Sequence, residues 1–155
     1  MAHLDYERIQ AVLQYDPLTG SFSRKTGKRK IGWLAHGYIN IGIDGQKFRA
    51  HRLAWILMTG AWPDLCIDHI NGDRADNRWE NLRLATSSQN QQNRHTRKDS
   101  RVGLKGVTEF RDRWKAQIKI GGRQTHLGMF ESKEDAHLAY QKAALRCFGE
   151  YARFE

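Results

Sequence analysis

The stretch of residues 87–106 carries almost no apolar side chains, and it limits the possible folds more than any other feature of the chain. A segment without an apolar stripe has no face to bury against a core. Its start can be helical, because Thr86 and Gln89 fit a capping box, whereas its latter half is basic and indicates a linker. The sequence therefore predicts two small domains. Their predicted limits are 1–97 and 105–155, with the linker at 98–104.

The charge distribution points to a phosphate-rich partner and to one acidic region. The formal net charge of +9 favours a polyanion such as nucleic acid. Residues 1–60 carry nine Lys/Arg against four Asp/Glu, whereas residues 61–86 carry three against five. A protein that only binds phosphate has little use for local acids, but an enzyme that cleaves phosphodiesters needs acids to hold a cation. A solvated acidic loop is the alternative interpretation.

The composition excludes several other classes of protein. Hydrophobic residues make up 39% of the chain, yet no stretch approaches the roughly 18 apolar residues of a membrane-spanning helix. Asp5 and Glu7 lie where a signal peptide would carry its apolar region. We therefore expect a soluble intracellular protein with no membrane partner. Cys66 and Cys147 are too far apart in the sequence for a disulfide framework or a thiolate zinc site, and we expect both to be buried.

The first domain is predicted to mix helices and short strands. Asp5 is a suitable N-cap for a helix at 5–14, and residues 16–20 have the composition of a turn. Asp44 and Gly45 are a strong hairpin signal. The apolar face of the first helix consists of Tyr6, Ile9, Val12 and Leu13. The predicted strands are Ser21–Arg24, Tyr38–Ile43 and Lys47–Ala50. A second predicted helix covers Arg52–Met58 and ends at Gly60.

The second domain is predicted to be a three-stranded sheet followed by one helix. Gly121 and Gly122 favour a tight turn between the second and third strands. Ser132 and Asp135 resemble a capping box at the start of the helix, and Gly149 ends it. The predicted strands cover 106–110, 113–120 and 123–129. The helix face expected to lie against them consists of Ala136, Ala139, Tyr140, Ala143, Ala144 and Cys147. On the second strand, the residues that face the helix are Trp114, Ala116, Ile118 and Ile120, and those that face away are Lys115, Gln117 and Lys119.

The stretch 66–90 contains the residues that indicate chemistry. Hydrolysis of a phosphodiester needs a nucleophilic water, a base to take its proton and a cation to stabilise developing charge. Asp68 is followed directly by His69. Adjacent strand residues point to opposite faces, so a bend is needed before both can serve one site, and the turn-prone segment 71–73 lies in the right place. Asn90 could return a second oxygen to the same cation, and such ligands select a hard ion such as Mg²⁺.

Six short motifs occur in order along this part of the chain. They are His-Arg-Leu-Ala-Trp from 51, Gly-Ala-Trp-Pro from 60, Asp-His-Ile-Asn-Gly-Asp from 68, Asp-Asn-Arg from 76, Glu-Asn-Leu-Arg from 80 and Ser-Gln-Asn from 88. This order resembles the HNH (ββα-metal) nucleases, and more narrowly the phage and intron-associated homing endonucleases. The resemblance covers roughly residues 15–95.

The resemblance to HNH nucleases implies a role for each of four residues. Asp68 would bind the metal, and His69 would be the general base that activates water. Asn81 would tie down the loop that carries the base, or orient its imidazole. Asn90 would be the second ligand, where some family members carry His, for one Mg²⁺ or Mn²⁺ per active site. His51 could assist the site or only pack against it, and the turn-prone Asn71, Asp73, Asp76 and Asn77 are expected to form turns rather than bind metal.

A second set of motifs occupies the C-terminal domain. They are Gly-Val from 106, Arg-Trp-Lys-Ala-Gln-Ile from 113, His-Leu-Gly-Met-Phe from 126, Glu-Asp-Ala from 134 and Ala-Tyr from 139. Their spacing resembles the AP2 DNA-binding domain, across about 103–154. The resemblance implies a three-stranded antiparallel sheet on one helix, with its open face in the major groove. The residues expected to contact DNA there are Lys105, Arg111, Arg113, Lys115, Gln117, Lys119, Gln124 and His126.

AP2 family members tend to carry Arg or Trp where this chain has Gln124 and His126, so the bases that the domain reads stay open. Two further basic stretches are expected to contact phosphates, which would make the affinity for DNA fall steeply with salt. Their residues are Lys28, Arg29 and Lys30 before the first domain's sheet, and Arg94, Arg97 and Lys98 at the linker.

The sequence thus predicts an α+β protein: a ββα-metal nuclease domain followed by an AP2-like sheet packed on one helix. The predicted activity is metal-dependent hydrolysis of double-stranded DNA by a monomer or a homodimer, in the cytoplasm of a bacterial or phage-infected cell. Nicking and double-strand cleavage both stay open. Two alternatives are a DNA-binding regulator on an inactive nuclease scaffold, and a nuclease that acts on RNA or structured DNA.

Overall fold

The computed structural model describes residues 4–27, 29–92 and 102–154. In this part of the chain, helices and small antiparallel sheets form two compact units that divide between Thr86 and Ser87. The mixed α+β class predicted from the sequence is confirmed, while the finer domain limits stay a prediction. None of the helices among the described residues has the length and apolar character needed to cross a membrane.

Two helices pack on the core of the first unit. Helix α1 (Tyr6–Val12) begins where the carboxylate of Asp5 accepts a hydrogen bond from the backbone N–H of Arg8, at 2.8 Å, which confirms the predicted cap. The helix ends two residues earlier than predicted, because Leu13 takes an extended conformation and starts a strand. Helix α2 (Ala50–Thr59) ends at Gly60, which has a left-handed φ of 79°.

The strands of the first unit form three small sheets. Two of them contain three strands each, and the third is a hairpin of two strands. The hairpin turn at Asp44 and Gly45 is confirmed, since both residues have the positive φ that a type I′ turn requires. The strands are β1 (Leu13–Asp16), β2 (Ser21–Arg24), β3 (Lys30–Ile31), β4 (Trp33–Ala35), β5 (Tyr38–Ile43), β6 (Gln46–Arg49), β7 (Cys66–His69) and β8 (Leu82–Ala85).

The core of the first unit joins both helices to the sheets. Ile9 of α1 and Leu53 of α2 are fully buried, and they pack with Ile41 and Ile43 of β5. Ile67 of β7 belongs to the same cluster. The strand that carries Asp68 and His69 is therefore anchored to the core through the residue directly before them, which holds both side chains in fixed positions.

The second unit contains a three-stranded sheet and a long helix. Strands β9 (Val107–Phe110), β10 (Arg113–Ile120) and β11 (Arg123–Phe130) form an antiparallel sheet, and helix α4 (Lys133–Phe148) packs on it. The hydroxyl of Ser132 accepts a hydrogen bond from the N–H of Asp135, so the predicted cap is confirmed. A short helix, α3 (Ser87–Gln92), also lies in this unit.

Some predicted details were wrong. Ala50 begins α2 instead of ending a strand. Cys66 and Cys147 are exposed, since Cys66 lies at the first position of β7 and Cys147 in the last turn of α4, beyond the buried side chains of each element. Ile120 is 37% exposed because it ends β10 at the hairpin, past the last residues that α4 covers.

The turn between β1 and β2 supports the loop that follows β7. The hydroxyl of Tyr15 donates a hydrogen bond to the carbonyl of Asn77 at 2.7 Å, and the N–H of Trp79 donates to the carbonyl of Pro17 at 2.9 Å. Gly20 has a φ of +70°, and a Cβ placed on it would lie 2.5 Å from the backbone nitrogen of Arg78. A glycine is therefore required by both the backbone conformation and the close approach of the two segments.

We predict that Gly20→Ala destabilises the first unit more than Gly45→Ala does. Both positions have φ near +70°, which costs a residue with a side chain about 1–2 kcal/mol. Only at position 20 would the new methyl group also meet backbone, which adds about 1–3 kcal/mol of overpacking. Urea unfolding of the two variants and wild type measures the difference. Equal losses of unfolding free energy would contradict the close packing of the turn.

Candidate active site

The predicted metal ligand and the predicted base lie at the end of the β7–β8 hairpin. Asp68 pairs with Arg83 and His69 with Leu82 across the two antiparallel strands. Asp68 is 3% exposed and His69 is 5% exposed. A buried carboxylate needs a partner, and the Nε and Nη2 atoms of Arg83 both lie 2.9 Å from Oδ2 of Asp68. The carboxylate is thus held in place by a cross-strand ion pair.

Aromatic rings surround the imidazole of His69. The ring of His51, from α2, meets it edge-on with the centroids 5.1 Å apart, and the ring of Tyr38, from β5, lies 6.1 Å away. Burial among these groups lowers the pKa of His69, while the nearby side chain of Asn77 and the charge of Asp68 act in the opposite direction. The imidazole is therefore favoured in its neutral form, which can accept a proton.

The side chain of Asn81 braces the loop that begins at His69. Asn81 is 5% exposed and lies in a 3₁₀ turn at Trp79–Asn81. Its Nδ2 donates to the carbonyl of Asp76 at 2.8 Å, and its Oδ1 accepts from the N–H of Asn71 at 2.9 Å. Its own carbonyl accepts from the N–H of Ile70, also at 2.9 Å. One amide group thus bonds both ends of the loop.

The loop of residues 70–78 is ordered by further polar contacts. The Nδ2 of Asn71 donates to Asp76 at 2.8 Å, and the guanidinium of Arg78 pairs with Asp76 at 2.7 Å. Arg78 holds the pKa of Asp76 down at about 2. Asp73 bonds the backbone of Ala75. These contacts are those of turn-forming residues, as their sequence predicted.

Asn77 is a site residue that sequence reasoning assigned only to a turn. It is 3% exposed, its Nδ2 donates to the carbonyl of Ala75, and it lies close enough to His69 to act on the pKa of the imidazole. The Asp-Asn-Arg motif contained it, but nothing in the spacing distinguished a residue beside the imidazole from one that only forms the turn. The distinction depends on which way the side chain points.

His51 is a second buried histidine in the same cluster. It is 8% exposed, and among the described residues its Nδ1 has no hydrogen-bond partner. Burial, the neighbouring His69 and the cations of Arg52 and Arg49 lower its pKa to about 3. His51 is therefore neutral at physiological pH and packs directly against the candidate base.

The remaining predicted residue of the site is Asn90, and it does not belong to the first compact unit. It lies on α3, in the second compact unit, whereas Asp68, His69 and Asn81 come together in the first. No group of three or more His, Cys, Asp or Glu side chains in the described ranges is arranged to hold a metal ion. The buried carboxylate of Asp68 is a hard oxygen donor, which fits Mg²⁺ because this ion keeps several waters and needs only one or two carboxylates.

The residues predicted to read DNA lie on the sheet of the second unit. Gln117 pairs with His126 and Lys119 with Gln124 across β10 and β11, so four of them are neighbours on one face. Ala116 and Ile118 alternate with them and are buried, at 0% and 2% exposed. Lys115 lies on the same strand and is half-buried.

The other predicted DNA contacts are more varied in position. Arg111 is exposed beside the ring of Phe110, and Arg113 is exposed with one nitrogen bonded to the carbonyl of Met129. Lys105 is half-buried, and burial together with the charge of Arg153 lowers its pKa to about 8. Arg29, directly before β3, and Lys30, its first residue, are exposed, and the predicted contacts Lys28, Arg94, Arg97 and Lys98 lie outside the described residues.

Comparison with known proteins identifies the first of the two predicted families. A family model described as HNH endonuclease matches residues 48–92, which include β7, β8 and α3. An uncharacterized HNH endonuclease of Acanthamoeba polyphaga mimivirus is 30% identical over 114 residues, which are 72% of this chain and 59% of that protein. Protein 3.8 of Escherichia phage T7 is 30% identical over 109 residues, which are 68% of this chain and 89% of that protein. The chain therefore contains an HNH endonuclease domain.

A further relative is named as a transcription factor-like protein and not as a nuclease. An ethylene-responsive transcription factor-like protein of Arabidopsis thaliana is 40% identical over 52 residues, which are 34% of this chain and 23% of that protein. No solved structure matches the chain. The mimivirus and phage relatives confirm the expected relation to viral HNH proteins.

We predict that His51 makes the stability of the first unit depend on pH. Its pKa is about 3 in the folded state and about 6.5 when unfolded, so stability is fully present above pH 6.5 and is lost as the pH falls toward 3. Between pH 7.5 and pH 5 this amounts to about 2 kcal/mol. Urea unfolding at both values should show a loss in wild type larger by about that amount than in His51→Gln. Equal losses in the two proteins would contradict the neutral buried histidine.

Proposed function

We propose that the chain is a metal-dependent endonuclease that hydrolyses phosphodiester bonds of double-stranded DNA, with site preference supplied by an AP2-like second domain. The observation that carries the nuclease proposal is the joint burial of Asp68 and His69 at the end of one braced hairpin. A carboxylate beside a neutral imidazole is the pair that metal-assisted hydrolysis needs. The HNH endonuclease domain supports the same reaction class.

In this proposal, His69 is the general base. Its neutral imidazole takes the proton of a water molecule whose oxygen bonds to the scissile phosphorus. The bond from phosphorus to the 3′-oxygen breaks, and this oxygen takes a proton from solvent water, which gives 5′-phosphate and 3′-hydroxyl ends. Asn77 is buried beside the imidazole, and Asn81 is a positioning residue that fixes the loop. His51 and Tyr38 exclude water from the other faces of the ring.

HNH nucleases are generally dependent on a divalent metal, and the donor set here is compatible with Mg²⁺ or Mn²⁺. Asp68 and Asn90 would hold one ion per active site, and the ion when bound stabilises charge on the phosphate and on the leaving oxygen. The family match extends through residue 92, and so includes Asn90. We therefore propose that the nuclease domain extends through α3 to about residue 97.

The AP2-like role of the second domain rests on its sheet. A three-stranded antiparallel sheet backed by one helix presents Gln117, His126, Lys119 and Gln124 on its open face. Gln suits adenine and basic side chains suit phosphate or guanine. The partial match to a transcription factor-like protein supports a DNA-binding module. Two linked weak DNA-binding units would raise the overall affinity of the chain.

A DNA-binding regulator on an inactive nuclease scaffold is the second candidate function. The ion pair between Asp68 and Arg83 favours it, because a carboxylate held by a guanidinium is also a common structural contact. An assay of plasmid cleavage separates the two candidates, since a regulator binds DNA and leaves it intact.

We predict that the purified protein nicks or linearises plasmid with Mg²⁺ and that His69→Ala lowers the rate by at least about 100-fold, because a general base contributes about 100- to 10,000-fold. Gel electrophoresis over time measures the rate, and chelation of the metal should abolish cleavage. His36→Asn, at an exposed histidine with a positive φ that Asn tolerates, is the matched control and should cleave like wild type. Equal rates for wild type and His69→Ala would favour the regulator.

We predict that Gln117→Ala broadens the sequence preference of cleavage. Loss of a bidentate base contact removes about 1–3 kcal/mol of discrimination at one position of the site. Sequencing of cleaved ends from a mixed DNA library measures the preference. Thr125→Ser, on β11 opposite the buried Ile118, is the control and should leave the preference unchanged. An unchanged preference in Gln117→Ala would count against direct reading by this face.

A further inference from the structure

Two guanidinium groups share one aromatic ring beside the candidate base. Tyr38 is the first residue of β5, Arg49 is the last of β6, and Arg74 lies in the loop after β7. The Cζ atom of Arg49 lies 4.4 Å from the centre of the Tyr38 ring, and that of Arg74 lies 5.1 Å from it. Both distances are those of cation–π contacts. The same ring lies 6.1 Å from the imidazole of His69.

The two positive charges are not neutralised by carboxylates. Among the ion pairs of the described residues, none involves Arg49 or Arg74. One nitrogen of Arg49 donates to the carbonyl of Ala35 at 3.3 Å, and a guanidinium has five N–H donors in all. The nearby acid Asp76 is occupied by Arg78. Two like charges on one ring repel each other, and an anion bound by these guanidinium groups would reduce that repulsion.

A structural role explains the pair less well. A cation–π contact at an exposed site contributes only about 0.5–1 kcal/mol, and Arg74 is exposed. The core beneath these residues is made by apolar side chains of α1, α2 and β5, without help from either arginine. By contrast, the planar fork of a guanidinium matches two oxygens of a phosphate.

We propose that Arg49 and Arg74, held on the ring of Tyr38, form a binding site for a backbone phosphate of the DNA strand that His69 cleaves. The site deepens the proposed nuclease function and rests on it. It lies in the same unit as the base, and its three residues come from β5, β6 and the loop that Asn81 braces. The phosphate held there would fix the position of the scissile bond relative to His69.

The test measures binding of the full-length protein to a labelled DNA duplex, with Ca²⁺ in place of Mg²⁺, over a range of salt concentrations. Each lost phosphate contact changes the slope of log affinity against log salt by about 0.9. Arg74→Gln should therefore show a slope smaller in magnitude by about 0.9, and over a fourfold rise in salt its affinity should fall about 3.5-fold less than that of wild type. Arg74→Lys keeps the charge and should retain most of the wild-type slope.

Arg8→Gln is the matched control. Arg8 lies in the same unit, but its guanidinium is paired with Asp44 at 2.8 Å, so its replacement should leave the slope unchanged. Because Arg74 is exposed, Arg74→Gln should unfold at the same temperature as wild type. Its salt slope therefore tests the phosphate site even if the corresponding variant of the half-buried arginine, Arg49→Gln, does not fold. A slope in Arg74→Gln equal to that of wild type, or an equal change in Arg8→Gln, would overturn the proposal.

Cleavage assays on the same proteins separate this proposal from the nuclease function. If wild type binds duplex with a slope that depends on Arg74 but never cleaves it, the nuclease function fails and the phosphate site stands. If wild type cleaves and the slope does not respond to Arg74→Gln, the phosphate site alone fails.

Discussion

The site depends on the hydrogen bonds that the side-chain amide of Asn81 makes to the loop after His69. A hairpin of two four-residue strands does not by itself fix the loop between them. Asn81 bonds the backbone at Asn71 and at Asp76, and its own side chain is buried, so leaving its amide unpaired would be costly. The chain directly after His69 is thereby held in one conformation. The turn at Tyr15–Gly20 supports the same loop from the other side.

Burial determines the electrostatics around the base. His69 and His51 lie edge-on in a cluster that lowers the pKa of both, so neither carries a charge that would repel the other at neutral pH. Asp68 keeps its charge balanced through Arg83. Around this neutral centre, Arg49 and Arg74 leave positive charge near the surface. Such an arrangement places a proton acceptor where a polyanion would be attracted.

The HNH match and the first compact unit end at different residues. The HNH match continues to residue 92, whereas the compact units divide between Thr86 and Ser87. Helix α3 contacts the 3₁₀ turn Gly149–Tyr151 of the second unit. This six-residue helix has no apolar side chain to bury against a core.

The sequence by itself determined the HNH domain, most of the helices and strands, and the positions of several cap and turn residues, because motif order, alternation and glycine placement are local properties. It also placed Asp68 and His69 together. Only the tertiary structure decided that Arg83 pairs with Asp68, that Asn77 lies beside the imidazole, and that Arg49 and Arg74 both contact the ring of Tyr38. These contacts join residues that are far apart in the chain or depend on side-chain direction, and both are set by packing, which no spacing encodes.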